Sequence, residues 1–237
     1  MHLSLGFGAL ALFSQLSSAH FLFPHLMLNG VKTEPYEYVR EHDNGFNPSF
    51  TPEILESEDF RCNKGSWNHR SDPKTAQVTA GKDTVGFHLH LDFGIYHPGP
   101  VIIYLSKAPG DVRDYDGSGD WFKVYELGTA DPWDGTDNGW LTKDLKYFEF
   151  QLPSEIPAGQ YLMRIEQMSI HQPYSQKELY FQCAHLDIAS DYNGPAPGPT
   201  IKIPGGYKAD DPAILLDSWA QPPPTYFPMP GPPVWPN

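Results

Sequence analysis

The segment that decides the fold is residues 179–188, Leu179-Tyr180-Phe181-Gln182-Cys183-Ala184-His185-Leu186-Asp187-Ile188. Apolar and polar positions alternate along it, and several members are aromatic or β-branched, which is typical of a β-strand. In a regular strand successive side chains point to opposite faces, so Tyr180 and Cys183, three residues apart, face opposite ways.

Five further segments share this alternation and are bounded by Gly, Pro, Asp or Asn: residues 84–91, 101–105, 121–125, 146–150 and 159–166. No segment sustains the 3.6-residue apolar period of an amphipathic helix. Short strands separated by turn residues are typical of two antiparallel sheets packed face to face. The sequence therefore predicts an all-β protein, an antiparallel β-sandwich with long loops.

The composition fits one folded domain and limits its partners. The chain has 237 residues with 16 basic and 29 acidic side chains, which gives a formal net charge of −13. Such a charge repels nucleic acid and anionic membrane surfaces, so neither is an expected partner. A chain of this length can bury a sizeable core as a single domain. It shows no internal repeat, and we expect a monomer.

The C-terminal part, residues 194–237, differs in composition from the rest. It holds 13 of the 25 prolines and five large aromatic residues, Tyr207, Trp219, Tyr226, Phe227 and Trp235. This is more aromatic surface than a solvated linker carries. We therefore expect an extended segment that wraps over the sandwich. A separate carbohydrate-binding module is not expected.

The N-terminus predicts export. Residues 3–13 form an apolar run too short to span a bilayer, and small residues follow at positions 17–19. This pattern predicts a secretory signal peptide at residues 1–19 and a secreted protein. The mature domain, residues 20–237, then begins with His20.

The two cysteines, Cys62 and Cys183, exclude zinc sites built on three or four thiolates. They leave open either one disulfide bridge or two free thiols. An oxidising compartment outside the cell favours the bridge.

Two histidines are candidates for a metal site. A histidine at a new N-terminus offers its α-amine and its imidazole to one metal ion, so His20 can chelate. His97 lies in the turn sequence of residues 96–100, where a side chain is presented at the edge of a sandwich. Together they supply three nitrogens and no thiolate, a donor set that favours Cu(II), with zinc as the alternative. Tyr180 faces away from Cys183 and is a candidate axial ligand.

Structural roles stay open for each of these residues at this point. His20 can be an accidental first residue after cleavage, and Tyr180 can be a packed core tyrosine. His88 and His90 share one face of a strand, because they are two residues apart. The apolar face of that strand is formed by the residues between and before them, so we expect these two histidines on the solvent side or beneath a loop.

Several motifs combine into a family pattern in the order His20-Phe21-Leu22-Phe23-Pro24, Asp59-Phe60-Arg61-Cys62-Asn63, His97-Pro98-Gly99-Pro100-Val101, Gly119-Asp120-Trp121-Phe122-Lys123, Ile156-Pro157-Ala158-Gly159-Gln160-Tyr161-Leu162-Met163-Arg164 and Tyr180-Phe181-Gln182-Cys183. This pattern resembles the fungal lytic polysaccharide monooxygenases of auxiliary activity family 9, formerly glycoside hydrolase family 61. The resemblance extends over essentially all of residues 20–237, including the proline-rich tail.

The resemblance implies an immunoglobulin-like sandwich and a copper-dependent oxidoreductase. Its substrate would be β-1,4-glucan, as cellulose or a related plant cell-wall polysaccharide such as a hemicellulose, cleaved at C1 and/or C4. The reaction would use O2 or H2O2 and an external reductant or electron-donor protein. The residues implied are His20 and His97 as copper ligands, Tyr180 as axial ligand, His171 beside the copper to position the oxygen species, and Cys62 with Cys183 as a family disulfide.

The sequence departs from the family pattern at Glu178, since the family usually has glutamine two residues before the axial tyrosine. An ionised carboxylate there adds negative charge beside the copper and cannot donate a hydrogen bond. For this reason a non-catalytic copper- or glycan-binding protein is the alternative. A hydrolytic endoglucanase with two catalytic carboxylates is a further, less favoured one. Ile165 also replaces a histidine found in many members.

Substrate binding on a flat protein face would need aromatic side chains that stack on sugar rings. Tyr36, Tyr207 and Tyr226 are the candidates, and Phe21 is expected beside the metal ligands with a substrate contact.

Overall fold

The structure is a computed structural model that describes residues 20–171 and 176–236. The predicted signal peptide, residues 1–19, lies outside the described residues. Within the described ranges, no helix has the length and apolar character needed to cross a membrane.

The regular secondary structure of the described part of the chain is almost entirely β-strand, connected by long loops. In chain order these are β1 (His25–Leu28), β2 (Val31–Lys32), β3 (Ser49–Phe50), β4 (Ala76–Thr79), β5 (Thr84–His88), β6 (Val101–Lys107), β7 (Asp120–Leu127), β8 (Tyr147–Gln151), β9 (Gly159–Ser169), β10 (Glu178–Ala189) and β11 (Ile201–Lys202). Five 3₁₀ turns lie between the strands, and one short helix, α1 (Pro212–Leu215), follows β11. The turns are Glu53–Glu56, Glu58–Phe60, Ser66–His69, Val112–Asp114 and Asp137–Gly139.

These strands form two sheets. One has the order β2-β1-β5-β8, and the other has the order β11-β7-β6-β9-β10-β3, with β4 also beside β10. Neighbouring strands are antiparallel, except that β4 runs parallel to β10. The predicted antiparallel sandwich with an extended C-terminal segment is confirmed, and all six predicted strands are found, as β5 to β10.

The sandwich has two apolar cores because β9 and β10 are buried on both faces. Tyr180 and Ala184 point between the two sheets, toward Phe87 and Ile103, whereas Cys183 points the other way. On that other side the long loops and the tail cover the seven-stranded sheet and form the second core. Because both faces are covered, the polar residues Gln182 and His185 of β10 are buried and hydrogen-bonded.

The tail completes this second core. Tyr207 and Phe227 are buried there, together with residues of α1. Two buried lysines hold the tail by its backbone: Lys123 Nζ donates to Pro230 O at 2.8 Å, and Lys177 Nζ donates to Leu216 O at 2.8 Å. Because a buried ammonium needs acceptors, these contacts satisfy the lysines and attach the tail to the sheet.

The bridge between Cys62 and Cys183 is present, as predicted, and joins residues 121 apart in sequence. Beside it the guanidinium of Arg164 lies between the rings of Phe60 and Phe181, with its Cζ 4.7 and 4.9 Å from their centroids. The bridge therefore fixes the loop before β4 to the middle of β10.

Removing this bridge should destabilise the protein strongly. For a Cys62→Ser/Cys183→Ser double variant we expect a loss of about 4 to 5 kcal/mol in the free energy of unfolding, because the unfolded chain regains the freedom of a long loop. Urea denaturation of the variant and of the wild type, both without reductant, measures this loss. An unchanged midpoint would show that the bridge does not stabilise the fold.

Candidate metal centre

The turn that carries His97 is fixed by the end of β9. Ile170 N donates to Pro98 O at 2.9 Å, and Met168 N donates to Pro100 O at 3.1 Å, so the turn runs beside β9 as a short continuation of β6. Gly99 has φ +150°, and a Cβ at this position would lie 1.7 Å from Met168 O. Only glycine fits here.

Two further hydrogen bonds hold the same turn. Gln167 Nε2 donates to His97 O at 3.3 Å, and Thr142 Oγ1 donates to Gly99 O at 2.7 Å. Both donors are buried, so His97 is presented from a backbone that is fixed on two sides.

The N-terminal segment is tied to β10 and to the loop after β5. Phe23 N donates to Gln182 Oε1 at 2.6 Å, and Leu22 N donates to His90 Nδ1 at 3.1 Å. The ring of Phe21 stacks on Tyr180 with 4.2 Å between centroids. These contacts bring His20 to the same end of the sandwich as His97.

Around Tyr180 the candidate residues converge. Its ring centroid lies 6.2 Å from that of His20 and 6.4 Å from that of His97. The hydroxyl of Tyr180 donates to Glu178 Oε2 at 3.0 Å. His171 stacks parallel on His97 with 4.2 Å between centroids, and its Nε2 lies 3.8 Å from Glu178 Oε1. The structure thus brings together all five residues that the sequence placed at the metal site.

The environment sets the protonation of two of these groups. Burial raises the pKa of the Tyr180 phenol far above its usual value, and the charge of Glu178 and its hydrogen bond to the phenol act in the same direction. Burial lowers the pKa of His97, as does the neighbouring His171, against an opposing effect of Glu178. Tyr180 therefore keeps its proton, and His97 favours the neutral form that can bind a metal ion.

The donor set fits a metal ion. Nε2 of His97 is buried and has no hydrogen-bond partner among residues 20–171 and 176–236. A buried imidazole nitrogen without a partner is costly unless something occupies its lone pair. Ligand atoms of His97, His171 and Glu178 lie within 4.8 Å of one another.

His171 is placed less well than His97 to bind the same ion. Imidazole lone pairs lie in the plane of the ring, and the planes of His97 and His171 are nearly parallel, 8° apart. An ion in the plane of His97 would therefore lie outside the plane of His171. Ser169 Oγ also hydrogen-bonds Nδ1 of His171. With this geometry, His171 is better placed to lie beside the metal ion than to act as a metal ligand.

Two of the four predicted substrate contacts are buried. Tyr207 is 2% exposed, and its hydroxyl bonds that of Tyr104 at 2.8 Å inside the second core. Phe21 is also 2% exposed, because its ring packs on Tyr180 and Phe23. Neither ring has a free face for a sugar, so the predictions of sugar stacking by Tyr207 and of a substrate contact by Phe21 are wrong.

The other two predicted contacts differ in exposure. Tyr226 is 70% exposed, next to the segment that follows β7. Tyr36 is half-buried and has φ +59°, with its amide bonded to Pro24 O.

Two exposed aromatic residues near the site were not predicted as substrate contacts. Tyr96 precedes His97 and is largely exposed, and Trp219 follows Ser218, whose Oγ donates to Ile170 O at 3.3 Å, one residue before His171. Adjacency to His97 was a usable signal for Tyr96. Nothing in the sequence separates Trp219 from the buried aromatic residues of the tail.

The remaining strand histidines have structural roles. His88 stacks on Tyr147 across the outer face of the four-stranded sheet, and His90 accepts the amide of Leu22. Both are partly exposed, as expected.

The model of Auxiliary Activity family 9 (formerly GH61) matches residues 20–226. The chain belongs to Auxiliary Activity family 9.

Named relatives agree with this assignment. AA9 family lytic polysaccharide monooxygenase G of Aspergillus tamarii is 43% identical over 95% of this chain and 69% of its own length. AA9 family lytic polysaccharide monooxygenase H of Malbranchea cinnamomea is 40% identical over 98% of both chains. Similarity over nearly the whole chain identifies the protein as a lytic polysaccharide monooxygenase, an oxidoreductase that cleaves polysaccharides.

Solved structures of the family show the same fold. The crystal structure of HiLPMO9B has a TM-score of 0.77 at 26% identity and covers 91% of this chain and 99% of its own. A cellulose-active polysaccharide monooxygenase from M. thermophila has a TM-score of 0.75 at 25% identity, with the same coverage. Membership of this family therefore favours an oxidative enzyme over the hydrolytic and non-catalytic alternatives that the sequence left open.

The glycine in the His97 turn provides a test of how this site is built. In a Gly99→Ala variant the new Cβ would overlap Met168 O, so the turn must move, and we expect a loss of roughly 2 to 4 kcal/mol in the free energy of unfolding. The matched control is Gly110→Ala, whose Cβ would meet nothing within 4 Å. Urea denaturation of both variants measures the difference. Equal stability would mean that the turn tolerates a side chain.

Proposed function

We propose that this family 9 enzyme cleaves β-1,4-glucan, as cellulose or a related plant cell-wall polysaccharide, at C1 and/or C4. It would use one copper ion, O2 or H2O2 and an external electron donor. The protein would be secreted as a single catalytic domain after removal of residues 1–19. The observation that carries this proposal is the convergence of His20, His97 and Tyr180 at one end of the sandwich, with the buried Nε2 of His97 lacking a partner in the described residues.

The residues that would hold the copper are His20, through its imidazole and terminal α-amine, His97, through its imidazole, and Tyr180, through its phenol. Copper supplies the one-electron chemistry that activates the oxygen cosubstrate. His97 is disposed to bind because burial and His171 favour its neutral form.

The residues around these ligands hold protons and exclude water. Tyr180 keeps its proton and directs it toward Glu178, so the lone pairs of the phenol oxygen point away from that carboxylate. Phe21 covers one face of Tyr180 and shields it from solvent. His171 stands beside His97 with Nε2 toward Glu178, where it would help to position the oxygen cosubstrate.

The substrate assignment rests on the surface around the site. Tyr96 is exposed and precedes His97, Trp219 is exposed and follows Ser218, which bonds Ile170 O, and Tyr226 is exposed beside the segment that follows β7. Exposed aromatic rings pack on the apolar faces of sugars, which suits a neutral glycan. The matched structure from M. thermophila is described as cellulose-active.

Product analysis tests the proposed reaction. Copper-loaded protein with an N-terminal His20, incubated with phosphoric-acid-swollen cellulose and ascorbate, should release aldonic acids, 4-ketoaldoses or both, detected by mass spectrometry. The control omits ascorbate and should release none. Products with ordinary reducing ends alone would contradict an oxidative reaction on this substrate.

The α-amine of His20 is the second test. Protein acetylated at the terminal amine of His20 has an amide there, and, unlike an added residue, the acetyl group supplies no new α-amine to chelate Cu(II). We expect its affinity for Cu(II) to fall by at least a hundredfold in calorimetry. The matched control is the same protein, beginning with His20, with its terminal amine unmodified. Equal affinity of the two proteins would exclude the amine as a ligand.

Glu178 is the third test, because its carboxylate only accepts hydrogen bonds when ionised. In Glu178→Gln the amide can also donate, so the Tyr180 hydroxyl is no longer held in one orientation. We expect altered parameters in the electron paramagnetic resonance spectrum of the Cu(II) protein and a changed rate of H2O2 production with ascorbate. A control variant away from the metal site is Glu149→Gln, on β8 of the four-stranded sheet. Superimposable spectra for wild type and Glu178→Gln would show that Glu178 does not act on the metal site.

A further inference from the structure

A cavity of about 370 Å³ opens beside the disulfide, away from the metal centre. Its wall contains Cys62, and the partner Cys183 is three residues along β10 from Tyr180. Three residues of strand span roughly 10 Å, and the two side chains point to opposite faces of the sheet. A ligand in this cavity would therefore not touch the residues assigned to copper.

One wall of the cavity is a buried cation that is fixed in place. Arg40 is 1% exposed, and its Nη2 donates to Val112 O at 2.8 Å and Tyr115 O at 2.9 Å. Its Nε donates to His185 Nε2 at 2.7 Å. Burial, and then Arg40 itself, lower the pKa of His185 to about 3, so this ring is neutral and can accept. The guanidinium is thus held rigidly at the cavity.

A second cation lies in the same wall. Arg61 donates to Asp116 Oδ2 at 2.9 Å and to Ile203 O at 3.1 Å. These bonds fix its side chain before any ligand arrives, which lowers the entropy cost of binding.

The lining of the cavity also includes an exposed tryptophan. Trp67 is 43% exposed and lines the cavity. Arg70 packs on its ring, with Cζ 4.2 Å from the ring centroid, and Arg70 Nη1 donates to Trp67 O at 3.0 Å. The indole is therefore held in one orientation by a side chain on one of its faces.

The charges around the cavity select the class of ligand. Four carboxylates, those of Glu58, Asp59, Asp114 and Asp116, line it together with Arg40 and Arg61. The four carboxylates would repel an anionic ligand, and the two fixed guanidinium groups would repel a cationic one. A neutral molecule rich in hydroxyl groups is suited to both, since carboxylates accept from hydroxyls and guanidinium groups donate to them.

We propose that this cavity is a second glycan site, which binds a short segment of a neutral β-1,4-gluco-oligosaccharide with one sugar ring packed on Trp67. Its volume lies at the lower end of the range for small-molecule sites, which suits a chain end better than a crystalline face. The site would hold a soluble glucan chain on the side of the enzyme that does not carry the copper. The proposed second site rests on the proposed β-1,4-glucan substrate class, but it does not depend on the copper chemistry.

Nuclear magnetic resonance titration with cellohexaose tests this site in metal-free protein, without reductant. The indole N–H signal of Trp67, assigned by its loss in Trp67→Ala, should shift and saturate. In Trp67→Ala the backbone amides of Asn63 and Ser66 should report binding at least tenfold weaker. Trp67→Phe should bind within about threefold of wild type, because it keeps an aromatic face. An oligogalacturonate of similar length, which is anionic, should not shift the Trp67 signal.

A Trp219→Ala variant separates this site from the copper face. It should leave the Trp67 shift and its dissociation constant unchanged. If cellohexaose shifts the Trp219 signal and not that of Trp67, or shifts neither, the second site does not exist. Product analysis on cellulose decides the proposed reaction independently of either result.

Discussion

The antiparallel pairing of β9 and β10 is the constraint on which the rest of the molecule depends. Their register runs from Glu178 opposite Ser169 to Ile188 opposite Gly159. Because both strands are covered on both sides, alternate residues of β10 serve different regions. Tyr180 faces the sandwich interior beside the histidines, and Cys183 faces the second core and its bridge. A slip of one residue would exchange these faces and abolish both sites.

The candidate metal centre is assembled from segments that are distant in sequence but meet at the end of these two strands. The turn of His97, just before β6, is hydrogen-bonded to the end of β9, and the N-terminal segment reaches the same place through Gln182. Glu178 adds a carboxylate at 3.0 Å from the Tyr180 hydroxyl. In this chain the phenol therefore has a fixed donor role, which a glutamine would leave open. This is a chemical difference from the usual family pattern built on an unchanged fold.

The parts that the sequence predicted are those that depend on local patterns. Six strands of five or more residues carry alternation, whereas β1 to β4 and β11 have two to four residues and too few positions for a pattern. The family motifs identified His20, His97, Tyr180 and His171. The exposure of aromatic residues depends on how loops and tail pack, so Tyr207 was misassigned and Trp219 overlooked. The cavity beside Trp67 gathers residues from several loops, and no periodicity marks it.

The attachment of the tail has a consequence for the order of folding. Strands β5 to β10 can pair before the last residues are synthesised, but the second core lacks Tyr207 and Phe227 until then. Lys123 and Lys177 likewise lack their backbone acceptors at Pro230 and Leu216 until the tail arrives. A nascent chain therefore exposes an apolar sheet face with the ammonium group of Lys177 still without its tail acceptor, whereas Lys123 keeps Glu126 as an ion-pair partner at 2.7 Å. Such an exposed apolar face is prone to aggregation until the proline-rich tail docks on it.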